Sequence, residues 1–233
     1  PCVSGSELSS ERKRRCRRQQ RGGLMSDTEL EGLIRESGLT GITEDMTEKL
    51  SGFADLLLKW NRVYNLTGVR TRGEMLVRNI MDSLVILPYL RGAVCLDAGT
   101  GPGLPGIPLA IARPDISFAL VDSRQKRISF VREAVRVQGL TNVTPVLGRL
   151  ESIPGDGEYD MVTSRAFSSL SDFAGLTGRF LKKGGRLLAM KGNVTKSELE
   201  PLGALGFSAE THALSVPHYD GARHLVIMSM IND

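Results

Sequence analysis

The sequence predicts an α/β protein, a mainly parallel, doubly wound sheet preceded by a cap of helices. Three observations carry this. Residues 94–112 read as a short apolar strand, a glycine turn and an apolar helix. From there to about residue 205, apolar strands alternate with amphipathic helices, the order that builds a parallel sheet. From about residue 26 to residue 90 the pattern is helical, with Met46, Leu50, Phe53, Leu57 and Trp60 recurring at steps of three and four.

Taken in order, residues 1–24 have no hydrophobic periodicity and are rich in Arg, Ser and Gln, so they are expected to be a disordered basic extension. Met25-Ser26-Asp27 reads as a natural start followed by a helix cap. The natural chain is therefore expected to begin there, the alternative being a basic arm for phosphate backbones. Ser26 or Asp27 caps a helix running to Glu36 and stopped at Gly38. Thr43, followed by Glu44 and Asp45, starts a longer helix that places Met46, Leu50, Phe53, Leu57 and Trp60 on one face. From Trp60 to Thr67 the chain is denser in polar and aromatic groups than a packing helix needs. A third helix is expected over 74–90, carrying Arg78, Asn79, Asp82 and Ser83. Residues 25–91 thus form the helical cap, and 92–233 the sheet domain. Its strands are expected at 94–97, 117–122, 143–147, 159–166 and 186–190, with helices over 127–138, 170–181 and 197–205. Two last strands, 208–216 and 223–230, form an antiparallel hairpin at one edge.

Charge restricts the partners. The chain has 30 basic and 26 acidic residues, but residues 1–24 hold seven basic and two acidic ones, so the remainder carries a net charge of −1. Any nucleic-acid binding by the folded body must come from a local patch. No apolar run approaches the ~20 residues that span a bilayer, and Cys2, Cys16 and Cys95 have no metal-ligand spacing. A cytoplasmic protein, without metal or membrane attachment and monomeric, is expected.

The glycine turn reads Asp97-Ala98-Gly99-Thr100-Gly101-Pro102-Gly103-Leu104. A dinucleotide loop has G-x-G-x-x-G, whereas here the third glycine comes one residue early. Pro102 removes a donor, and no Lys is present to cradle phosphates. The pattern suits S-adenosylmethionine, which has no phosphate, held at Gly99, Thr100 and Gly101. Asp122, ending the second strand, is placed to accept two hydrogen bonds from the ribose hydroxyls; the alternative is a helix cap. Asp97 and Glu151 add negative charge near the sulfonium and amino groups.

The acceptor is approached through absences. Pyrimidine C5 needs a placed cysteine nucleophile, and Cys95 lies inside a strand. Exocyclic amine methylation usually comes with a D/N-P-P-Y/F loop, where this chain has Thr163-Ser164-Arg165-Ala166. A ring nitrogen that is already nucleophilic, such as guanine N7, needs only alignment. Arg165, at the C-terminal end of a parallel strand, either orients cofactor or substrate or pairs structurally with Asp82 or Glu151. Arg78, Arg124, Lys182, Lys191 and Arg223 are candidate RNA contacts at the mouth of the site.

These residues resemble the bacterial RsmG family, also called GidB (glucose-inhibited division protein B), over roughly residues 44–230. The resemblance rests on Lys59-Trp60-Asn61, Tyr64-Asn65-Leu66-Thr67, Met75-Leu76-Val77-Arg78 and Asp82-Ser83. It continues through the glycine turn, extended by Leu104-Pro105-Gly106-Ile107-Pro108, then Asp122-Ser123, Ser164-Arg165-Ala166, Lys191-Gly192 and Arg223-His224-Leu225. It implies a Rossmann-like class I methyltransferase with a seven-stranded sheet. It also implies methyl transfer from S-adenosylmethionine to guanine N7 of 16S ribosomal RNA, free or in the small ribosomal subunit. By position it implies cofactor contacts at Gly99, Leu104, Leu150, Glu151 and Arg165. The family commonly has Arg-His where this chain has Arg78-Asn79. The competing readings are a small-molecule methyltransferase on the same fold, and an RNA-binding assembly factor without activity.

Overall fold

The computed structural model describes residues 27–165, 167 and 169–231; the basic stretch 1–24 lies outside them. The first helix, α1 (Asp27–Glu36), is followed by α2 (Glu44–Tyr64). Thr43 caps α2 in extended backbone, its hydroxyl accepting from the Met46 amide at 3.3 Å. Asn65 ends α2 in the left-handed region at φ 49°, a conformation Asn tolerates better than most residues. Helix α3 (Arg72–Met75) runs on as a π-helical stretch, Leu76–Met81, and a last turn, Asp82–Leu84. The expected helix over 74–90 therefore stops early. Pro88 sits in a separate 3-10 turn, Leu87–Tyr89, near whose start its missing N–H costs nothing, whereas inside a continuing helix it would remove a backbone hydrogen bond.

The sheet follows: β1 (Val94–Ala98), α4 (Gly106–Ala112), β2 (Ser117–Asp122), α5 (Gln125–Gln138), β3 (Val143–Leu147), β4 (Tyr159–Ser164), α6 (Leu170–Thr177), β5 (Leu181–Lys191), α7 (Lys196–Ala204), β6 (Phe207–Ala213) and β7 (His224–Met230). The strand order is β3-β2-β1-β4-β5-β7-β6. The first five strands are parallel, and β7 lies antiparallel between β5 and β6. Chain direction across the sheet reverses between β1 and β4, the switch point at which ligands settle in open α/β sheets.

Two cores cover the sheet. On one face the cap helices, α4 and α5 share a single cluster that includes Leu50, Phe53, Met75, Ile80, Ile107 and Phe130. On the other, Phe173, Phe180 and Leu202 pack against β1, β4 and β5. The cap and the sheet therefore have one continuous core across residue 91.

Strand β5 begins five residues earlier than Lys182-Lys183-Gly184-Gly185 suggests. Gly185 explains this: a Cβ there would lie 2.8 Å from the Lys182 carbonyl and 3.1 Å from that of Tyr159. The glycine marks a close backbone approach beside β4, where the register shifts.

Candidate cofactor and acceptor site

The glycine turn leaves the C-terminal end of β1 and is held by two buried carboxylates. Asp97 Oδ2 accepts from the Thr100 hydroxyl at 2.6 Å and from the Gly106 amide at 2.8 Å. Asp122 Oδ2 accepts from the Gly101 amide at 3.0 Å and from Arg127 at 2.9 Å, while Oδ1 accepts from the Arg124 amide at 2.8 Å. Gly99, Gly101 and Gly103 all have positive φ, which glycine adopts without penalty. The Leu104-Pro105 peptide is cis.

Burial pushes the Asp97 carboxyl up to about 6, and the bonds from Thr100 and Gly106 only partly offset it. Its Oδ1 is buried and has no hydrogen-bond partner. A buried, unmatched acceptor is costly unless a donor arrives. Beside it, a Cβ built at Gly99 or Gly101 would meet nothing within 4 Å, so bare backbone faces open space there. An orphaned acceptor next to an open glycine backbone fits a cofactor with an ammonium group and no phosphate. At Asp122 the expected ribose contact shares the carboxylate with protein donors. Three donors already address that carboxylate, which has about four acceptor sites, so it has room for one hydroxyl, not two. Its larger role is to tie the turn to the start of α5.

The other expected cofactor residues fall around the same strand ends. Thr100 and Leu104 are buried in the turn. Leu150 and Glu151 follow β3, Leu150 half-buried and Glu151 exposed. The Leu150 carbonyl accepts from Arg179 at 2.7 Å.

A second cluster sits beside the turn. Strand β4 neighbours β1, and Ser164 donates to the Ala98 carbonyl at 2.8 Å, so Arg165 emerges next to the glycine loop. Arg165 Nη1 donates to Asp82 Oδ2 at 3.2 Å and to the Arg78 carbonyl at 3.1 Å; Nη2 donates to Asn79 Oδ1 at 3.1 Å. Asp82 is buried, and its Oδ1 accepts from Arg223 Nε at 2.7 Å. The Arg223 guanidinium stacks over Tyr219 with 4.3 Å to the ring centroid. Arg78, Asn79, Asp82, Arg165 and Arg223 wall a cavity of about 420 Å³, closed by Gly68 and Val69 from the cap and by Met190, Lys191 and Gly192 at the end of β5. Arg165 thus has both features the sequence left as alternatives, the Asp82 pairing and a position at the site. Lys191 lines the cavity and pairs with Glu198 at 2.7 Å. Arg124 is exposed at the start of α5.

Lys182 does not belong to this mouth. It lies at the N-terminal end of β5 and pairs with Asp160 at 3.1 Å, at the end of the strands opposite the site. The expectation took its charge alone, whereas the cavity gathers the C-terminal ends of the strands and Lys182 precedes all but the first residue of β5.

The sequence did not identify the wall built by the cap. Asn61, buried in α2, accepts from the Thr67 amide at 2.8 Å and donates to the Val69 carbonyl at 2.6 Å. It thereby shapes the loop that brings Gly68 and Val69 to the cavity. The one available signal was the surplus of polar residues from Trp60 to Thr67.

The model of the family described as rRNA small subunit methyltransferase G matches residues 46–226. A ribosomal RNA small subunit methyltransferase G from Cronobacter sakazakii is 47% identical over 197 residues, covering 84% of this chain and 94% of that protein. The protein of the same name from Sodalis glossinidius is 47% identical over 202 residues, covering 86% and 97%. Among solved structures, M. jannaschii TYW2 in complex with AdoMet superposes with a TM-score of 0.53 at 19% identity, over 64% of this chain and 74% of that one. Precorrin-6y C5,15-methyltransferase from Geobacter metallireducens gives 0.52 at 18%, over 64% and 87%. The structural likeness establishes a class I, S-adenosylmethionine-dependent methyltransferase fold, and the sequence likeness is closer: the chain belongs to the rRNA small subunit methyltransferase G family.

Proposed function

We propose that this protein methylates guanine N7 in 16S ribosomal RNA, free or within the small ribosomal subunit, and does so as a cytoplasmic monomer. The observation that carries the reading is the cavity beside the glycine turn. Arg78, Arg165, Lys191 and Arg223 line it, against one buried carboxylate, Asp82. A surplus of guanidinium groups suits a polyanion and a base whose positive charge rises on methylation only if that base is held by its phosphates. It does not suit a small apolar substrate. Arg124 extends the same charge along the end of β2.

S-adenosylmethionine supplies the methyl group. Gly99, Thr100, Gly101, Leu104, Asp122, Leu150 and Glu151 would hold it at the ends of β1, β2 and β3, and Asp97 Oδ1, buried without a hydrogen-bond partner, would take its ammonium group. Guanine N7 carries a lone pair and no proton, so no general base is required and alignment supplies the rate. The one cysteine among the described residues, Cys95, is buried in β1, which fits transfer without a cysteine nucleophile. Arg165 orients the reacting partners between the glycine turn and the cavity. No helix among the described residues is long and apolar enough to cross a membrane.

The test is transfer of labelled methyl to small-subunit RNA from a strain lacking this enzyme, followed by cleavage mapping at 7-methylguanosine. Label at one guanine N7 is expected. Absence of incorporation into either free RNA or assembled subunits overturns the reading.

A further inference from the structure

We propose that Asn79 is a positioning residue for Arg165: its buried amide oxygen sets the orientation of the guanidinium at the cavity wall. The proposal rests on the reading of Arg165 as a working group of the site. Asn79 is 3% exposed and lies on the π-helical stretch Leu76–Met81, an irregularity common at functional sites. Oδ1 accepts from Arg165 Nη2 at 3.1 Å, while Nδ2 donates to Met75 Sδ at 2.9 Å and to Thr67 Oγ1 at 3.4 Å. Arginine is a donor only, so the amide has one sensible orientation, with oxygen toward Arg165.

What Asn79 adds differs from what Asp82 adds. Asp82 is shared between Arg165 and Arg223 and pulls on charge. Asn79 is neutral and, together with the Arg78 carbonyl, fixes the plane of the guanidinium without cancelling its charge. A planar fork addressed at two nitrogens by three acceptors cannot swing toward solvent at low cost. The same amide passes this order to the cap. Thr67, which receives Nδ2, is itself held by Asn61, so the loop at Gly68 and the guanidinium are registered to each other. The charged groups facing this point are Arg165, Arg78, Asp82, Arg223 and Lys191; Asn61 and Thr67 contribute only neutral groups.

The chemistry demands an acceptor here and no particular titratable group. That separates two variants. Asn79→Leu keeps the branching at Cγ and removes the acceptor. Asn79→His, the residue the family commonly has, retains one through a neutral imidazole nitrogen at pH 8. With the full-length protein, S-adenosylmethionine and unmodified small-subunit RNA, Asn79→Leu is expected to lower kcat about 10- to 100-fold with little change in KM for RNA. This is the loss of one hydrogen bond to a charged partner. Asn79→His is expected to stay within about fivefold of the unaltered protein. A kcat for Asn79→Leu within twofold of the unaltered protein overturns the proposal. So does an Asn79→His enzyme that melts normally yet is as slow as Asn79→Leu. If Asn79→Leu does not fold, Asn79→His decides alone, retained kcat supporting the acceptor role and lost kcat removing it. Failure of the unaltered protein to methylate the RNA is a different result, and strikes the proposed function instead.

Discussion

The two halves of the site each turn on a buried aspartate, and the two are opposites. Asp97 has Thr100 and Gly106 on one oxygen and nothing on the other, and burial pushes it up to about 6. Asp82 has a guanidinium on each oxygen. One carboxylate waits for a positive ligand, while the other is satisfied by the protein and serves to collect arginines. A buried carboxylate can therefore be a binding device or a scaffold, and its hydrogen-bond ledger tells which. The contrast also orders the perturbations, because groups attached to the filled carboxylate act through orientation, and groups around the unfilled one act through cofactor affinity.

The largest effect is expected on the arginine side. Arg165→Ala removes a guanidinium with three protein acceptors and leaves Asp82 paired to Arg223 alone. Single-turnover methyl transfer should fall at least about 100-fold, equivalent to roughly 3 kcal/mol of the barrier, while circular dichroism remains native. Near-normal turnover would reduce Arg165 to a structural partner of Asp82 and erase the distinction between the two halves.

On the glycine side, two alanine substitutions separate ligand room from packing. At Gly101 an added Cβ faces open space, though at φ +57°, a conformation costing an L-residue roughly 1–2 kcal/mol. Gly101→Ala should weaken cofactor binding about tenfold or more in calorimetry, with a modest fall in melting temperature. At Gly106 an added Cβ would lie 2.6 Å from Asp97 Oδ2 and 2.8 Å from Leu120 Cγ. Gly106→Ala should instead lose roughly 1–3 kcal/mol of stability, measured by urea unfolding without cofactor. If the two variants behave alike, the open space over Gly101 is not where the cofactor lies.

The same contrast explains what could be read from the sequence. The glycine turn of the cofactor half is local: residues 97–106 contain the acid, the glycines and the helix start, so spacing alone points to it, whereas Asp122, Leu150 and Glu151 come from the ends of other strands. The acceptor half gathers Gly68, Asn79, Asp82, Arg165, Lys191 and Arg223 from five separate stretches, and no spacing rule joins them. Arg165 was visible because it ends a strand. Asn79 was visible only as a departure from the family's histidine, since its value lies in a hydrogen bond across 86 residues of sequence. The sheet alternation was legible throughout, but Lys182-Lys183-Gly184-Gly185 looked like a turn, because a glycine needed for close backbone approach has the same letter as one needed for a bend.

Asp97 offers a pH test of its unfilled state. A carboxyl with a folded value of about 6 against an ordinary 3.8 holds a proton in the folded protein that the unfolded chain has released. Its contribution to stability therefore falls as pH rises from about 4 to about 6, and is level above that. The full loss is on the order of 3 kcal/mol. Asp97→Asn keeps an acceptor for Thr100 and Gly106 and removes this titration. Without cofactor it should melt higher than the unaltered protein at pH 7.5 and match it more closely at pH 5, in paired thermal scans. Cofactor affinity should weaken at the same time, since an amide cannot offer charge to an ammonium group. A variant that binds the cofactor normally would mean Oδ1 is not its partner.

The smallest effect is the control for position. Lys182 has the same charge as the residues of the cavity, but sits at the opposite end of β5, half-exposed and paired with Asp160. Asp160 also accepts from the amides of Ala93 and Val94 at 2.8 and 2.9 Å, so it remains well supplied without the lysine. An exposed pair of this kind is worth about 0–1 kcal/mol. Lys182→Ala should therefore leave both kcat and KM for RNA within twofold and shift the unfolding midpoint little. A marked rise in KM that is largest at low salt and shrinks as salt is added would mean that RNA reaches around to the far end of the strands. The boundary between the positive acceptor wall and the rest of the surface would then have to be redrawn from Arg223 to Lys182.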